Sequence, residues 1–127
     1  MIPRIYTDTS VLGGCEDDEF RELALAPLVV RSVVARVPRD HIVLVALSHE
    51  AEELAQAYID GGAIGASMRV DALHIALATV ARVDVLVSWN FKHIVNLRRI
   101  HAYNAVNIRN GYPLLEIRTP REVLDDE

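Results

Sequence analysis

Residues 69–87 read RVDALHIALATVARVDVLV, and this stretch decides the fold class. Its first part, residues 69–81, is apolar nearly all round, which predicts a helix buried inside the protein. Its second part, residues 83–87, is short, apolar and rich in β-branched side chains, which predicts a core strand. A helix that leads into a buried strand is the repeating unit of α/β proteins.

The same alternation of helix and strand continues on both sides of this stretch. The other predicted strands are residues 5–7, 41–46 and 114–117, the last at an edge of the sheet. The other predicted helices are residues 20–26, 27–36, about 51–59 and 97–109, and residues 120–124 are predicted to be a short terminal helix or a tail. The sequence therefore predicts an α/β fold with a mainly parallel sheet.

Serine and glycine residues mark the ends of the central helices. Ser48 and Ser67 stand where a side-chain oxygen can cap the helices at about 51–59 and 69–81. Gly61 and Gly111 stand where helices commonly end.

Composition limits the class of protein. The chain has 127 residues, 51% of them hydrophobic, which predicts a single folded domain spanning residues 1–127. The net charge of −5 argues against a generic basic nucleic-acid-binding module. The single cysteine, Cys15, excludes an intrachain disulfide and favours a reducing, cytoplasmic location. No apolar run is long enough to cross a bilayer, so no membrane association is expected.

Two carboxylates stand beside apolar elements far apart in the chain. Asp8 follows the predicted strand at 5–7, and Asp71 stands at the head of the buried helix. A charge in such surroundings is costly unless it is paired, and a divalent cation would pair with both carboxylates. Sites in parallel sheets form at the carboxyl ends of the strands, where Asp8 and Asn90 are expected. The sequence thus predicts an Mg²⁺ or Mn²⁺ site.

Three motifs resemble those of PIN-domain proteins, the fold of VapC-type toxin ribonucleases. Residues 5–11 (IYTDTSV) resemble the opening motif, residues 71–78 (DALHIALA) the second signature, and residues 85–91 (VLVSWNF) the strand and loop that complete the site. The resemblance covers almost the whole chain. It implies a three-layer PIN-like fold, with a mainly parallel central sheet flanked by helices. The interval between the first two acidic motifs is shorter than in the family by about one helix and one strand.

The resemblance also implies roles for individual residues. Asp8 matches the first acid and Asp71 the third in a cluster that holds one or two divalent ions. Asn90 takes a position that is commonly Asp, and it could ligate through its carbonyl oxygen without adding charge; a role as a turn residue is equally open. Glu22 is the expected second acid. The competing candidates for that position are Asp17, Asp18 and Glu19.

Other residues are expected around this site. Thr9 or Ser10 could orient a metal-bound water or a phosphate oxygen. His74 shares a helix face with Asp71 and is expected to be a core or rim histidine rather than a base. The expected contacts to substrate are Arg69, Lys92 and His93, with Arg98 as a further candidate.

The resulting functional hypothesis is a metal-dependent endoribonuclease. Metal ions supply both an activated water and shielding of the charge that develops when a phosphodiester is hydrolysed. The resemblance implies RNA as substrate and makes a toxin with an antitoxin partner, and a homodimer, reasonable expectations. The alternative is a non-catalytic PIN-fold module that binds RNA or protein and has a degenerate acidic site. Asn90 and the shortened interval before Asp71 motivate this alternative.

Overall fold

The computed structural model describes residues 4–7 and 45–125. The helices predicted at 20–26 and 27–36, and most of the strand predicted at 41–46, lie outside the described residues. The described chain forms, in order, β1 (Ile5–Thr7), α1 (His49–Asp60), a 3₁₀ turn (Ala66–Met68), α2 (Arg69–Val80), β2 (Val85–Val87), α3 (Leu97–Arg109), β3 (Ile117–Arg118) and α4 (Pro120–Asp125).

The three described strands form one parallel sheet with β2 in the centre. β1 and β3 flank β2, and all neighbouring strands run in the same direction. Thr7, Val87 and Arg118 are paired across the sheet at its carboxyl end. The predicted α/β class with a parallel sheet is therefore confirmed for the described part of the chain.

Three strand predictions are wrong in their bounds. The strand predicted at 83–87 begins only at Val85, because the Val83 N–H donates to the Ala78 carbonyl at the end of α2. Val45 and Ala46 belong to no strand, because this exposed stretch leads into the cap of α1. The last strand is β3 rather than residues 114–117. The reason is that Leu115 pairs with a helix: its N–H donates to Asn104 Oδ1 at 2.7 Å, and its carbonyl accepts from Asn104 Nδ2 at 3.1 Å. Pairing with β2 begins only at the next residue, Glu116, whose carbonyl accepts from the Leu86 N–H.

The four described helices correspond to predicted helices, and α3 has the predicted bounds. Ser48 caps α1 as expected, since its Oγ accepts from the Ala51 N–H at 3.2 Å. The cap predicted at Ser67 is wrong. The 3₁₀ turn runs directly into α2, so Met68 takes the cap position and no side chain caps that helix.

This difference between the two serines can be tested by removing each hydroxyl. Ser48→Ala should lower the free energy of unfolding by about 1 kcal/mol, because it leaves a helix N–H without its acceptor. Ser67→Ala is the matched control and should change it by less than about 0.5 kcal/mol. Urea unfolding followed by circular dichroism measures both. Equal losses in the two variants would contradict the assigned caps.

Helices α1 and α2 pack against each other, and α3 packs against α1. The core between these helices and β2 includes Tyr58, Ile75, Leu86, Ile94 and Tyr103. The apolar sequence of α2 predicts burial all round, but Val70 in its first turn is 67% exposed. The start of α2 therefore reaches solvent, and the rest of the helix contributes to the core.

Among the residues that the structure describes, no helix combines the length and the apolar content that crossing a membrane requires.

Candidate functional site

The direction of α2 places Asp71 at the carboxyl end of the sheet. Only four residues separate the end of α2 from β2, so the helix and the strand run in opposite directions. The Asp84 N–H, just before β2, donates to the Arg4 carbonyl just before β1 at 2.8 Å, so both strands start at the same level. The last turn of α2 therefore lies beside the amino ends of the strands. Its first turn, which carries Asp71, lies towards their carboxyl ends.

A side-chain contact joins α2 directly to β1. The Tyr6 hydroxyl and His74 Nδ1 form a hydrogen bond of 2.8 Å, and the two rings meet edge to face at 5.9 Å between centroids. His74 is half-buried and hydrogen-bonded, which agrees with the expected core or rim histidine. Asp71 lies three residues closer to the start of α2, which is about 4.5 Å along the helix axis.

Tyr103 of α3 connects the region of Asp71 with the loop after β2. Its hydroxyl donates to the carbonyl of His93, which fixes that loop to the helix. Burial raises the pKa of Tyr103 to about 12; the neighbouring Arg99 guanidinium lowers it, and the nearby Asp71 carboxylate raises it. Asp71 therefore lies within electrostatic range of the phenol that holds the loop of His93.

Asn90 holds the loop after β2 in a turn. Its Oδ1 accepts from the His93 N–H at 3.0 Å, and its backbone N–H donates to Ser88 Oγ at 3.0 Å. Its backbone carbonyl accepts from the N–H groups of Ile94 and Val95. Of the two roles left open by the sequence, this arrangement shows the turn role. A carbonyl oxygen has two lone pairs, so the metal-ligand role of Asn90 stays a prediction.

The structure brings together only part of the predicted site. The loop of Asn90 and His93 lies near Asp71, whereas Asp8, Thr9, Ser10 and Glu22 lie outside the described residues. The alternatives for the second acid, Asp17, Asp18 and Glu19, lie there too. Within 4–7 and 45–125, no group of three or more His, Cys, Asp or Glu side chains is placed to hold a metal ion.

The predicted substrate contacts have different surroundings. Arg69 is exposed, and its Nη1 donates to Gln56 Oε1 at 2.8 Å, so it is held against α1. Lys92 and Arg98 are exposed. His93 is half-buried, and its Nδ1 has no hydrogen-bond partner among the described residues.

Sequence reasoning missed Tyr103, and it considered Arg99 only as part of a solvated face or as an RNA contact. Arg99 is half-buried and donates to the carbonyl of Ala63 at 3.1 Å, and it also lies beside the Tyr103 hydroxyl. The one sequence signal was their spacing of four residues, which puts them on the same face of α3. That spacing does not show that the shared face meets Asp71.

Comparison with known proteins gives no match to this chain among protein-family models, curated proteins or solved structures. The α/β class therefore rests on the described sheet and helices themselves.

Proposed function

We propose that this chain is a divalent-metal-dependent ribonuclease with a PIN-like fold. The contact between Tyr6 and His74 is the observation that carries the proposal. It fixes α2 against β1. Tyr6 lies two residues before Asp8 in the sequence, and His74 lies three residues after Asp71. The contact joins the strand that precedes the first acidic motif to the helix that carries the second through a side-chain hydrogen bond.

The strand that precedes Asp8 in the sequence ends at the same end of the sheet. Thr7, its last residue, is paired with Val87 at the carboxyl end of β1. The first turn of α2 lies towards the same end. This supports convergence of Asp8 and Asp71 on one ion, directly or through its water ligands.

The donors available near this end suit a hard cation. Asp71 supplies a half-buried carboxylate, and the Asn90 side chain supplies an amide oxygen. Mg²⁺ and Mn²⁺ prefer such oxygen ligands. Asp8 and Glu22 would complete the acidic set, with Thr9 or Ser10 orienting a water or a phosphate oxygen. A bound ion would lower the pKa of its water and shield the charge of the transition state.

The finer features of the proposal follow from the resemblance rather than from geometry. They are RNA as substrate, a toxin role with an antitoxin partner, and a homodimer. The cytoplasmic location is instead proposed from the single cysteine, Cys15. Exposed Lys92 gives some support to an anionic substrate, since cationic side chains contact the phosphates of nucleic acids.

One observation favours a second candidate, a non-catalytic PIN-fold module that binds RNA or protein. Asn90 Oδ1 already accepts a hydrogen bond from the His93 backbone. An uncharged side chain whose oxygen already holds a turn contributes less to a metal site than an aspartate would. The two candidates differ in whether a divalent ion binds.

Titration with Mn²⁺ separates these candidates. We expect saturable binding by the wild-type protein, and at least tenfold weaker binding for Asp8→Asn and Asp71→Asn, because each removes a charged ligand. Asp84→Asn is the matched control, since Asp84 lies at the opposite end of the sheet, where its Oδ2 accepts from the Arg4 N–H. Calorimetry gives the dissociation constants. Absence of saturable binding in the wild type would favour the non-catalytic module.

A further inference from the structure

The charge of the chain is unevenly distributed. Residues 85–115 contain one lysine and three arginines but no aspartate or glutamate, whereas the whole chain has 18 acidic residues and a net charge of −5. These residues form β2, the loop after it, α3 and the turn that follows. Lys92 and Arg98 are the members of this group that are exposed close to Asn90 in the chain. This part of a negatively charged protein is therefore suited to an anionic ligand.

An aromatic ring is presented to solvent in the same loop. Phe91 is 48% exposed and directly precedes Lys92. Trp89 is only 8% exposed, and its ring lies 6.1 Å from that of Phe91 between centroids. The backbone on either side is held by the turn at Asn90 and by the bond from Tyr103 to the His93 carbonyl. Phe91 is thus an exposed ring supported by a buried one on a fixed loop.

We propose that Phe91 is a stacking platform for an unpaired base of RNA, and that Lys92 and Arg98 contact the phosphates beside that base. The inference rests on the proposed function for the class of ligand, and it adds that the ligand is single-stranded. Aromatic side chains bind single strands in this way because every base offers a flat face. RNA is favoured over a protein partner by charge, because residues 85–115 of this acidic chain carry basic side chains and no acidic ones.

The test measures binding without cleavage. A fluorescently labelled single-stranded 2′-O-methyl RNA is titrated in EDTA, and its anisotropy gives the dissociation constant. Phe91→Leu keeps apolar bulk but loses the ring, and it should weaken binding at least about fivefold. Phe91→Tyr keeps the ring and should stay within twofold of the wild type. Ile108→Ala is the matched control, since Ile108 is 62% exposed on α3, and it should leave binding unchanged.

Three further readouts separate stacking from charge and test the preference for a single strand. Trp89 is the only tryptophan of the chain, so its fluorescence should change when a base stacks on the neighbouring ring. Lys92→Gln and Arg98→Gln should each reduce the slope of log K against log salt by about 0.7, whereas Phe91→Leu should leave the slope unchanged. A fully paired RNA duplex should bind more weakly than the single strand, since its bases are already stacked.

The inference is overturned if the wild-type protein does not bind the single strand, or if Phe91→Leu binds as tightly as the wild type. Its failure is distinct from failure of the proposed function. Binding that depends on Phe91 in a protein without metal-dependent cleavage would uphold the stacking platform and reject the nuclease. Cleavage that depends on Asp71, together with binding that does not depend on Phe91, would uphold the nuclease and reject the stacking platform.

Discussion

Replacing Asp71 by asparagine is expected to reduce metal-dependent RNA cleavage by about a thousandfold. Loss of about 4 kcal/mol of transition-state stabilisation corresponds to that factor, and a metal ligand can account for it. Asp71 is the one carboxylate of the predicted site within the described residues, in the first turn of α2. Asp8→Asn should have an effect of the same size, because both acids are proposed to hold the same ion.

The fold should tolerate both substitutions. Asparagine has nearly the same shape as aspartate, and a first-turn carboxylate stabilises a helix by only about 0.3–1 kcal/mol. Asp8→Asn should melt close to the wild type or slightly higher, because it removes repulsion between carboxylates in the metal-free protein. Thermal melting checks this in the same preparations that are assayed for cleavage.

Asp84→Asn is the control for the loss of a charge in general. It makes the same substitution at the amino end of the sheet, where an amide oxygen can still accept from the Arg4 N–H. Its cleavage rate should match that of the wild type. If Asp71→Asn cuts RNA as fast as Asp84→Asn does, the site assignment fails.

Asn107→Ala is expected to cause the largest loss of stability, about 2 kcal/mol, with a decrease in melting temperature of about 5–10 °C. Asn107 is fully buried on α3. Its Oδ1 accepts from the Tyr58 hydroxyl of α1, and its Nδ2 donates to Asn104 Oδ1 at 3.2 Å. Tyr58 also bonds to Thr79 Oγ1 of α2 at 3.2 Å. Removing the amide leaves buried polar atoms with fewer partners and opens a cavity.

The matched control is Asn110→Ala. Asn110 is exposed just after α3, where its Nδ2 donates to the Val106 carbonyl at 2.8 Å. Its replacement should lower the free energy of unfolding by less than about 1 kcal/mol, because water can donate to the Val106 carbonyl in place of the lost amide. Urea unfolding of both variants gives the comparison. Equal losses of unfolding free energy in the two variants would show that burial of the Asn107 amide does not contribute to stability.

A double-mutant cycle then tests whether Tyr58 and Asn107 act as a pair. Tyr58→Phe removes the hydroxyl that donates to Asn107. It should therefore lower the free energy of unfolding by less in an Asn107→Leu background than in the wild type. The expected coupling is about 0.5–3 kcal/mol. Additive losses would contradict a direct interaction between the two side chains.

Within the described residues, the sequence predicts helices better than strands, for physical reasons. The bounds of α3 follow from local signals, since Asn96 accepts from the Arg99 N–H as a cap and the apolar residues have helical spacing. The start of β2 depends on distant partners. Residues 83–87 all look like a strand, but the Val83 N–H still donates back to the Ala78 carbonyl at the end of α2. Pairing with β1 starts at Val85.

In the candidate site, too, the sequence predicts the local features but not the contacts between distant elements. The place of Asp71 in the first turn of a helix follows from its sequence neighbours, and the structure agrees. The turn at Asn90 uses partners within five residues, so it too is local. The meeting of Asp71, Arg99 and Tyr103 depends on how α2 packs near α3. The sequence does not predict such a contact, because nothing in the spacing of these residues relates one helix to the other.

The pairing of Asn104 with Leu115 has a mechanical consequence. A side chain of α3 satisfies both backbone groups of Leu115, two residues before β3 begins, so the helix determines where the last strand starts. The same helix holds the loop of Lys92 through Tyr103. A displacement of α3 along its axis would therefore carry both the edge strand and this loop with it. The proposed RNA-contacting surface and that edge of the sheet would then move as one body rather than independently.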